Sequence, residues 1–350
     1  NKGLSTDTLK FTDGEMEGLK KAVVGLDLAR LVTESDTELS SWYDLGIRAA
    51  IPMRIQNKNR GMLLVGPKMS SQTYRADELE FLSTLCNRVM ISLENARLFQ
   101  ETLEKQRLEE EIAIAREIQQ RLLPSSFPQI QGFEIYGLNI PSLQVGGDYF
   151  DCFQLDEDRL VFAIGDVSGK GVGAALLMSN LHAGLHTLVQ SKADIKTIVG
   201  RLNDLIYANT NFDKFITFFY AEIDPGSKII RYVNAGHNPP YIYHADGTFE
   251  MLEDGGLILG MMPGVKYDMG ETVLKSGDRL VTFTDGVTEA RASSGEMYEE
   301  ERLEELILNA VVEDINIRQF ADLLINELEK FSRGEPQADD ITMLALQVVE

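Results

Sequence analysis

Cysteine is scarce in this 350-residue sequence: only Cys86 and Cys152 occur, far apart and in no metal-ligand spacing. That excludes a disulfide scaffold and a thiolate zinc site, and it fits a reducing compartment. Positive charge is also short. Lys and Arg number 33 against 55 Asp and Glu, for a formal net charge of -22. The clustered cations of a nucleic-acid groove are therefore missing, and an anionic membrane surface is disfavoured as a partner. No run reaches the roughly 18 apolar residues of a membrane span, and no secretory signal is visible. The cytoplasm is the expected compartment. The chain opens on Asn1 rather than Met, as a fragment or a processed chain would. No internal repeat or low-complexity tract appears.

Hydrophobic residues make up 44% and aromatics 8%, ordinary proportions for a folded protein with length enough for two compact domains. Residues 1–97 set helical segments with charged faces around short strands at 49–55 and 61–66, with Asn57-Lys58-Asn59-Arg60-Gly61 as the turn between them. From Ala76 to Leu123 there is neither Gly nor Pro, so the pattern predicts a helix far beyond the usual ~10–14 residues. Its apolar positions Ala96, Phe99 and Leu103 step by three and four. Leu108, Ile112, Ala115 and Leu122 resume the pattern on a shifted seam, with Gln119 in the remaining position. Two readings follow: a short parallel coiled coil that pairs two chains and transmits a signal, or a solvated single helix between domains. Pro124 ends the helix, and Ser125-Ser126-Phe127-Pro128 reads as a hinge.

Beyond Phe133 the pattern changes to short strands and turns. Strands are expected at 133–139, 149–155, 159–165, 215–223, 228–234, 240–243, 279–284 and 341–348, with helices at about 172–191, 194–210, 299–312 and 316–331. Hairpins interrupted by helices define an α+β fold with antiparallel sheets covered by helices.

One hairpin carries the chemistry. Gly146-Gly147-Asp148-Tyr149-Phe150-Asp151 leads through the polar turn Asp156-Glu157-Asp158 to Gly165-Asp166-Val167-Ser168-Gly169-Lys170-Gly171. A turn centred on Glu157 makes cross-strand partners sum to 314, which sets Asp148 against Asp166. Like charges directly opposed are destabilising, and a divalent cation would relieve them, because carboxylate oxygens are natural ligands of Mg²⁺ and Mn²⁺. A one-residue slip in register would undo the arrangement. Asp285 follows the strand 279–284, and Asp339 and Asp340 precede the strand 341–348. Paired antiparallel, those two strands would bring the acids to one rim, and four carboxylates could then bracket two ions in the geometry used for phosphate-ester hydrolysis. Singly, each acid is equally a turn residue or a helix cap.

Five ordered motifs, at 146–151, 165–171, 235–240 (Ala-Gly-His-Asn-Pro-Pro), 284–290 (Thr-Asp-Gly-Val-Thr-Glu-Ala) and 338–342 (Ala-Asp-Asp-Ile-Thr), resemble the bacterial sporulation and stress-response branch of the PPM (PP2C-like) serine/threonine phosphatases. The likeness runs from about Leu122 to the C-terminus. It implies a β-sandwich of two antiparallel sheets flanked by helices, with two divalent cations, Mn²⁺ or Mg²⁺. Asp148, Asp166, the Val167 carbonyl, Asp285 and Asp339 would be metal ligands. Asp340 stands where eukaryotic relatives usually carry Asn, and Asp151 and Glu289 would be supporting or extra-metal carboxylates. Gly169, Lys170 and Gly171 would form a phosphate-facing loop, although a surface lysine is the plainer reading of Lys170.

The implied reaction is attack of metal-activated hydroxide on the phosphorus of a phosphoserine or phosphothreonine protein, of the anti-anti-sigma (STAS-type) class. Ser168 lies two residues after Asp166, where eukaryotic members carry a histidine beside the metal aspartate, so the proton donor is unassigned. The alternative is a phosphatase-like module that binds partners without turnover.

Residues 1–97 resemble the C-terminal part of a GAF sensory domain, through the strands around Pro52, Gly66-Pro67-Lys68, Tyr74 and Leu93–Leu98. The implied organisation is a partial sensor at 1–97, a helical linker at 98–123 that also makes a homodimer, and a phosphatase domain at 124–350. His182 and His186 stand at i and i+4, but the Glu of a His-Glu-x-x-His motif is missing and the segment reads as a packed helix. His237 falls in a turn, and no catalytic role is carried onto it. The glycines of 165–171 lack the Gly-Lys-Ser/Thr ending of a nucleotide loop.

Overall fold

A computed structural model of the chain describes residues 26–27, 43–55, 58–210, 214–313 and 315–349. The chain divides into two compact units, Asn1–Leu108 and Glu109–Glu350.

In the first unit, β1 (Leu26–Asp27), β2 (Ala49–Ile55) and β3 (Lys58–Val65) form an antiparallel sheet in that order. The strand β3 starts at Lys58, earlier than the expected turn allows, because a bulge between Met53 and Arg54 lets Asn59 pair with Arg54. Residues 56 and 57, the latter being the first of that turn, lie outside the described residues. Ala49 and Ile51 are buried with Leu79 and Cys86 of the following helix. That helix, α1 (Ala76–Gln120), is unbroken for 45 residues, as the absence of Gly and Pro requires. Leu98, Phe99, Leu103 and Leu108 are exposed along it. Near its end the shifted seam turns inward: Ile112 and Ala115 are half-buried and Gln119 is buried.

The second unit is a four-layer sandwich. Its strands are β4 (Phe133–Ile140), β5 (Tyr149–Asp156), β6 (Arg159–Val167), β7 (Ile216–Ile223), β8 (Ile229–Ala235), β9 (Tyr241–Tyr243), β10 (Phe249–Met251), β11 (Gly255–Gly256), β12 (Gly270–Val273), β13 (Arg279–Phe283) and β14 (Ile341–Val348). One sheet has the order β10-β9-β13-β14-β4 and the other β11-β8-β7-β6-β5, with β12 also on β8. All pairings are antiparallel except the two-residue β11–β8 pair. The short β10, β11 and β12 have no counterpart in the sequence expectation, since segments of two to four residues carry too little periodicity to register.

Alternation along each strand builds three cores. Phe150, Cys152, Phe162, Ile164 and Phe219 meet Leu280, Leu344 and Leu346 between the sheets. On the outer face of the β5–β8 sheet, Tyr149, Val161, Ala163 and Tyr220 pack on α2 (Val172–Leu188) and α3 (Ile195–Asn209). Tyr241, Tyr243, Phe283 and Met343, on the other outer face, pack on α5 (Glu299–Val312) and α6 (Ile317–Ser332), which follow a single turn, α4 (Asp285–Thr288). With both faces covered, strands read as continuous apolar runs, as β6 does. Among the described residues one helical segment, Val172–Ser191, is long and apolar enough to cross a membrane by composition. Its Ala174, Met178, Leu181 and Leu185 are core.

The expected hinge after Pro124 is instead docked. Leu123, Phe127 and Ile130 pack against the inter-sheet core, and the Phe127 ring lies 6.4 Å from that of Phe150. An aromatic residue in a short connection beside an open sandwich end has more to gain from burial than from motion.

Candidate metal centre

The register of β5 and β6 is the one that the turn dictates. Tyr149 pairs with Gly165, Phe150 with Ile164 and Gln154 with Leu160, all summing to 314, and the only shift falls beyond Gln154, at the turn itself. Asp148, one residue before β5, therefore faces Asp166, near the end of β6. Both share the parity of Phe150 and Ile164 and so point between the sheets. From the opposite sheet, β13 and β14 pair Phe283 with Met343, which sets Thr284 and Asp285 beside Asp339, Asp340 and Thr342.

Asp148 is buried, and its Oδ2 accepts from the Thr284 hydroxyl at 2.7 Å and from the Thr342 hydroxyl. These two threonines tie the sheets together through one carboxylate. They sit inside the Thr-Asp-Gly and Asp-Asp-Ile-Thr motifs, yet nothing local in the sequence marks them as partners of a residue 136 and 194 positions away.

The carboxylates crowd one another. Burial, and then the charge of Asp166, raise the Asp148 pKa well above the ordinary range. Asp166 is pushed up to about 7, by burial first and then by Asp285, with a hydrogen bond to Asp148 pulling the other way. Asp285 rises to about 6 through burial, Glu289 and Asp339. Among the described residues, the Lys170 ammonium stands 2.9 Å from Asp339 Oδ2 and donates to the Ala338 carbonyl. Lys170 is an exposed surface lysine, as expected, and it pairs at the rim with Asp339. Lys214, a second cation at the same loop, donates to the Ser168 carbonyl at 3.1 Å.

Asp340 does a different job. Its Oδ1 accepts from the Ser142 amide and hydroxyl at 2.7 and 2.9 Å, and its Oδ2 from the Gly147 amide at 2.7 Å. It pins the segment carrying Asp148, and the glycines there are required by close approach. A Cβ on Gly146 would lie 2.3 Å from Asp340 Oδ2, one on Gly147 2.9 Å from the Val167 carbonyl oxygen, and one on Gly286 1.9 Å from the Asp340 carbonyl oxygen. Gln119, at the end of α1, closes the segment from behind: its amide donates to the Gly146 carbonyl at 2.8 Å and accepts from the Gly146 amide at 3.1 Å. A buried glutamine answering both backbone groups of one residue satisfies backbone that would otherwise be orphaned. In the seam reading Gln119 was merely the polar position.

The loop after β6 turns through Gly169 (φ 91°) and Gly171 (φ 76°) into α2, which starts without a side-chain cap. A helix start of this kind presents its first amides toward an anion. Glu289 is exposed and close enough to act on Asp285. His237 is buried, with Nδ1 2.9 Å from the Thr217 hydroxyl. Burial depresses its pKa to about 4, so it is neutral and no general acid at neutral pH. Asp151 does not join the rim. With the parity of Tyr149 it faces α2, where it accepts from the Tyr149 hydroxyl at 2.9 Å and meets His186 Nε2 at 2.8 Å. The two histidines are thus not simply packed helix: the i, i+4 spacing turns both toward a buried carboxylate, and burial together with His186 lowers the His182 pKa.

Hard carboxylate oxygens from four chain segments, destabilised by one another and by burial, fit divalent metal ions that favour oxygen ligands. A sandwich of this layering with such a rim defines a PP2C-type phosphatase domain. Comparison with known proteins agrees: residues 156–349 match the family model described as Stage II sporulation protein E (SpoIIE). The chain is 33% identical over 246 residues to phosphoserine phosphatase RsbU of Bacillus subtilis, covering 69% of this chain and 71% of that one. It is 30% identical over 190 residues to phosphoserine phosphatase RsbP of the same organism, covering 52% of this chain and 46% of RsbP. Among solved structures, the RsbU and RsbW domains of Rv1364c from Mycobacterium tuberculosis align with a TM-score of 0.55 and 27% identity, over 65% of this chain and 63% of that one. The chain belongs to the SpoIIE family and is a serine phosphatase of the PP2C type, dependent on divalent metal.

Proposed function

We propose that this chain removes phosphate from phosphoserine or phosphothreonine on a cytoplasmic regulatory protein of the anti-anti-sigma class, using two divalent cations, Mn²⁺ or Mg²⁺. Asp148, Asp166, the Val167 carbonyl, Asp285 and Asp339 would hold them, with Glu289 nearby and Asp340 fixing the loop. When bound, the ions supply Lewis acidity toward the phosphoryl oxygens and a nucleophile from water at neutral pH. The protein's own contribution is placement. Thr284 and Thr342 orient Asp148, Asp340 and Gln119 hold the 146–148 segment, and the uncapped start of α2 at Gly169-Lys170-Gly171 receives phosphate. The observation that carries this reading is the mutual destabilisation of Asp148, Asp166 and Asp285 at one sandwich end.

The division into a GAF-like sensory segment at 1–97, a helical linker at 98–123 and a catalytic domain at 124–350 gives that rim an input. A shift or pairing of α1 would act on Gly146 through Gln119, and the exposed Phe99 and Leu103 of the Ala96–Phe99–Leu103 seam supply an apolar stripe for a homodimer. The test is Mn²⁺-dependent release of phosphate from a phosphoserine protein. The wild type should turn over, and Asp166→Asn should fall roughly 10³-fold, corresponding to the several kcal/mol of transition-state stabilisation that bound metal supplies. A wild type inert toward phosphoserine proteins with either metal would favour the partner-binding alternative.

A further inference from the structure

On the far side of β5 from the aspartate rim, Asp151, His182 and His186 present three ligand atoms that all lie within 4.8 Å of one another. Asp151 is buried, and its Oδ2 is already oriented by the Tyr149 hydroxyl, the kind of outer hydrogen bond that positions carboxylate ligands. The rings are held as well. His186 stacks on Phe153 with centroids 4.4 Å apart, the Tyr149 and His182 rings meet edge-on at 5.9 Å, and the two imidazoles stand 4.3 Å apart.

His182 Nδ1 is buried and has no hydrogen-bond partner. It stands 3.9 Å from Asp151 Oδ2, too far to bond to it, while His186 Nε2 stands 2.8 Å away. Bonds of roughly 2.0–2.1 Å to a tetrahedral ion place ligand atoms about 3.3 Å apart. One histidine would close by about half an ångström and the other would open by as much, movements within side-chain reach. The His186 side chain is 39% exposed and that of His182 21%, which leaves a mouth for an ion and for water as the fourth ligand.

We propose that Asp151, His182 and His186 form a separate site for one transition-metal ion of the zinc type. Two imidazoles and one carboxylate suit Zn²⁺ or Co²⁺, whereas the all-oxygen rim suits Mg²⁺ or Mn²⁺. Bound there, the ion bolts α2 to β5. The strand carries Asp148 at its entry, and α2 follows directly on the Gly165–Gly171 loop, so the bolt braces both halves of the hairpin that forms the rim.

The test uses the full chain, stripped by chelator and held in excess Mg²⁺ to fill the rim, and titrated with Co²⁺ as a visible-absorption probe. The wild type should bind one equivalent with an intense low-symmetry d–d spectrum that Zn²⁺ abolishes. His182→Gln and His186→Gln should each weaken binding about tenfold or more, and Asp166→Asn should leave the spectrum intact. A wild type without the band, or a band that survives the double histidine variant or vanishes in Asp166→Asn, overturns the proposal. Because histidine variants can misfold, X-ray absorption of the Zn²⁺-loaded wild type gives a second reading. Scattering from two imidazoles supports the site, and scattering from one or none refutes it.

Discussion

The two faces of β5 carry opposite chemistries three residues apart. Asp148 looks between the sheets, among threonine hydroxyls, glycines and other carboxylates. Asp151 looks toward α2, among aromatic rings and imidazoles. The first face concentrates hard negative charge at an open end, while the second buries a single acid beside two imidazole rings. The period-two geometry of a strand suffices for this separation, so one short hairpin can offer two kinds of cation site without mixing them.

Ways to sharpen that contrast run from large effects to small. Gly286→Ala should be the harshest structural change, because its Cβ would sit on the Asp340 carbonyl. A loss of about 1–3 kcal/mol in chemical denaturation is expected from such overpacking, with Mn²⁺ affinity falling too; a variant as stable as wild type would show that the close approach relaxes freely. Thr342→Val removes one of the two hydroxyls on Asp148 and should cost about 0.5–1.5 kcal/mol, the range for a typical hydrogen bond. The same substitution should leave ions bound at Asp151 untouched.

pH provides a third handle. Asp166 at about 7 and Asp285 at about 6 lie above their ordinary value of 3.8. The folded chain therefore holds protons that the unfolded chain has released, so these groups contribute stability below about pH 4 that is lost as pH rises through about 7. Chelated wild type should accordingly lose more Tm than Asp166→Asn between about pH 5 and pH 7.5, and Mn²⁺ affinity should strengthen over the same window. Parallel profiles for the two proteins would argue against a strained rim. Smallest is Lys170→Met. An exposed ion pair is worth about 0.2–1 kcal/mol, so removing this competitor for Asp339 should tighten Mn²⁺ binding roughly twofold to fivefold by equilibrium titration.

Much of this was legible in the sequence, and the limits are physical. The polar turn at Asp156-Glu157-Asp158 fixed the hairpin register, and the strands flanking Asp285 and Asp339 read as neighbours because their apolar runs end in acids. The unbroken α1 followed from missing Gly and Pro. What stayed hidden depends on distant partners. Asp340 serves amides 193 and 198 residues away, and Gln119 meets a loop that no helical period predicts. Lys170 is the surface lysine its sequence context suggests, but that context says nothing of its partner Asp339 across the loop. The histidine pair looked like core because helical spacing shows which residues share a face but not what that face meets.

The most direct test of the central claim is a Mn²⁺ binding isotherm on the full chain, read by electron paramagnetic resonance of the free ion alongside phosphoserine hydrolysis. The account predicts two Mn²⁺ per chain at the rim, with hydrolysis rising as they fill and both lost in Asp166→Asn. Hydrolysis that proceeds unchanged in Asp166→Asn, or that ignores Mn²⁺ occupancy, would contradict it.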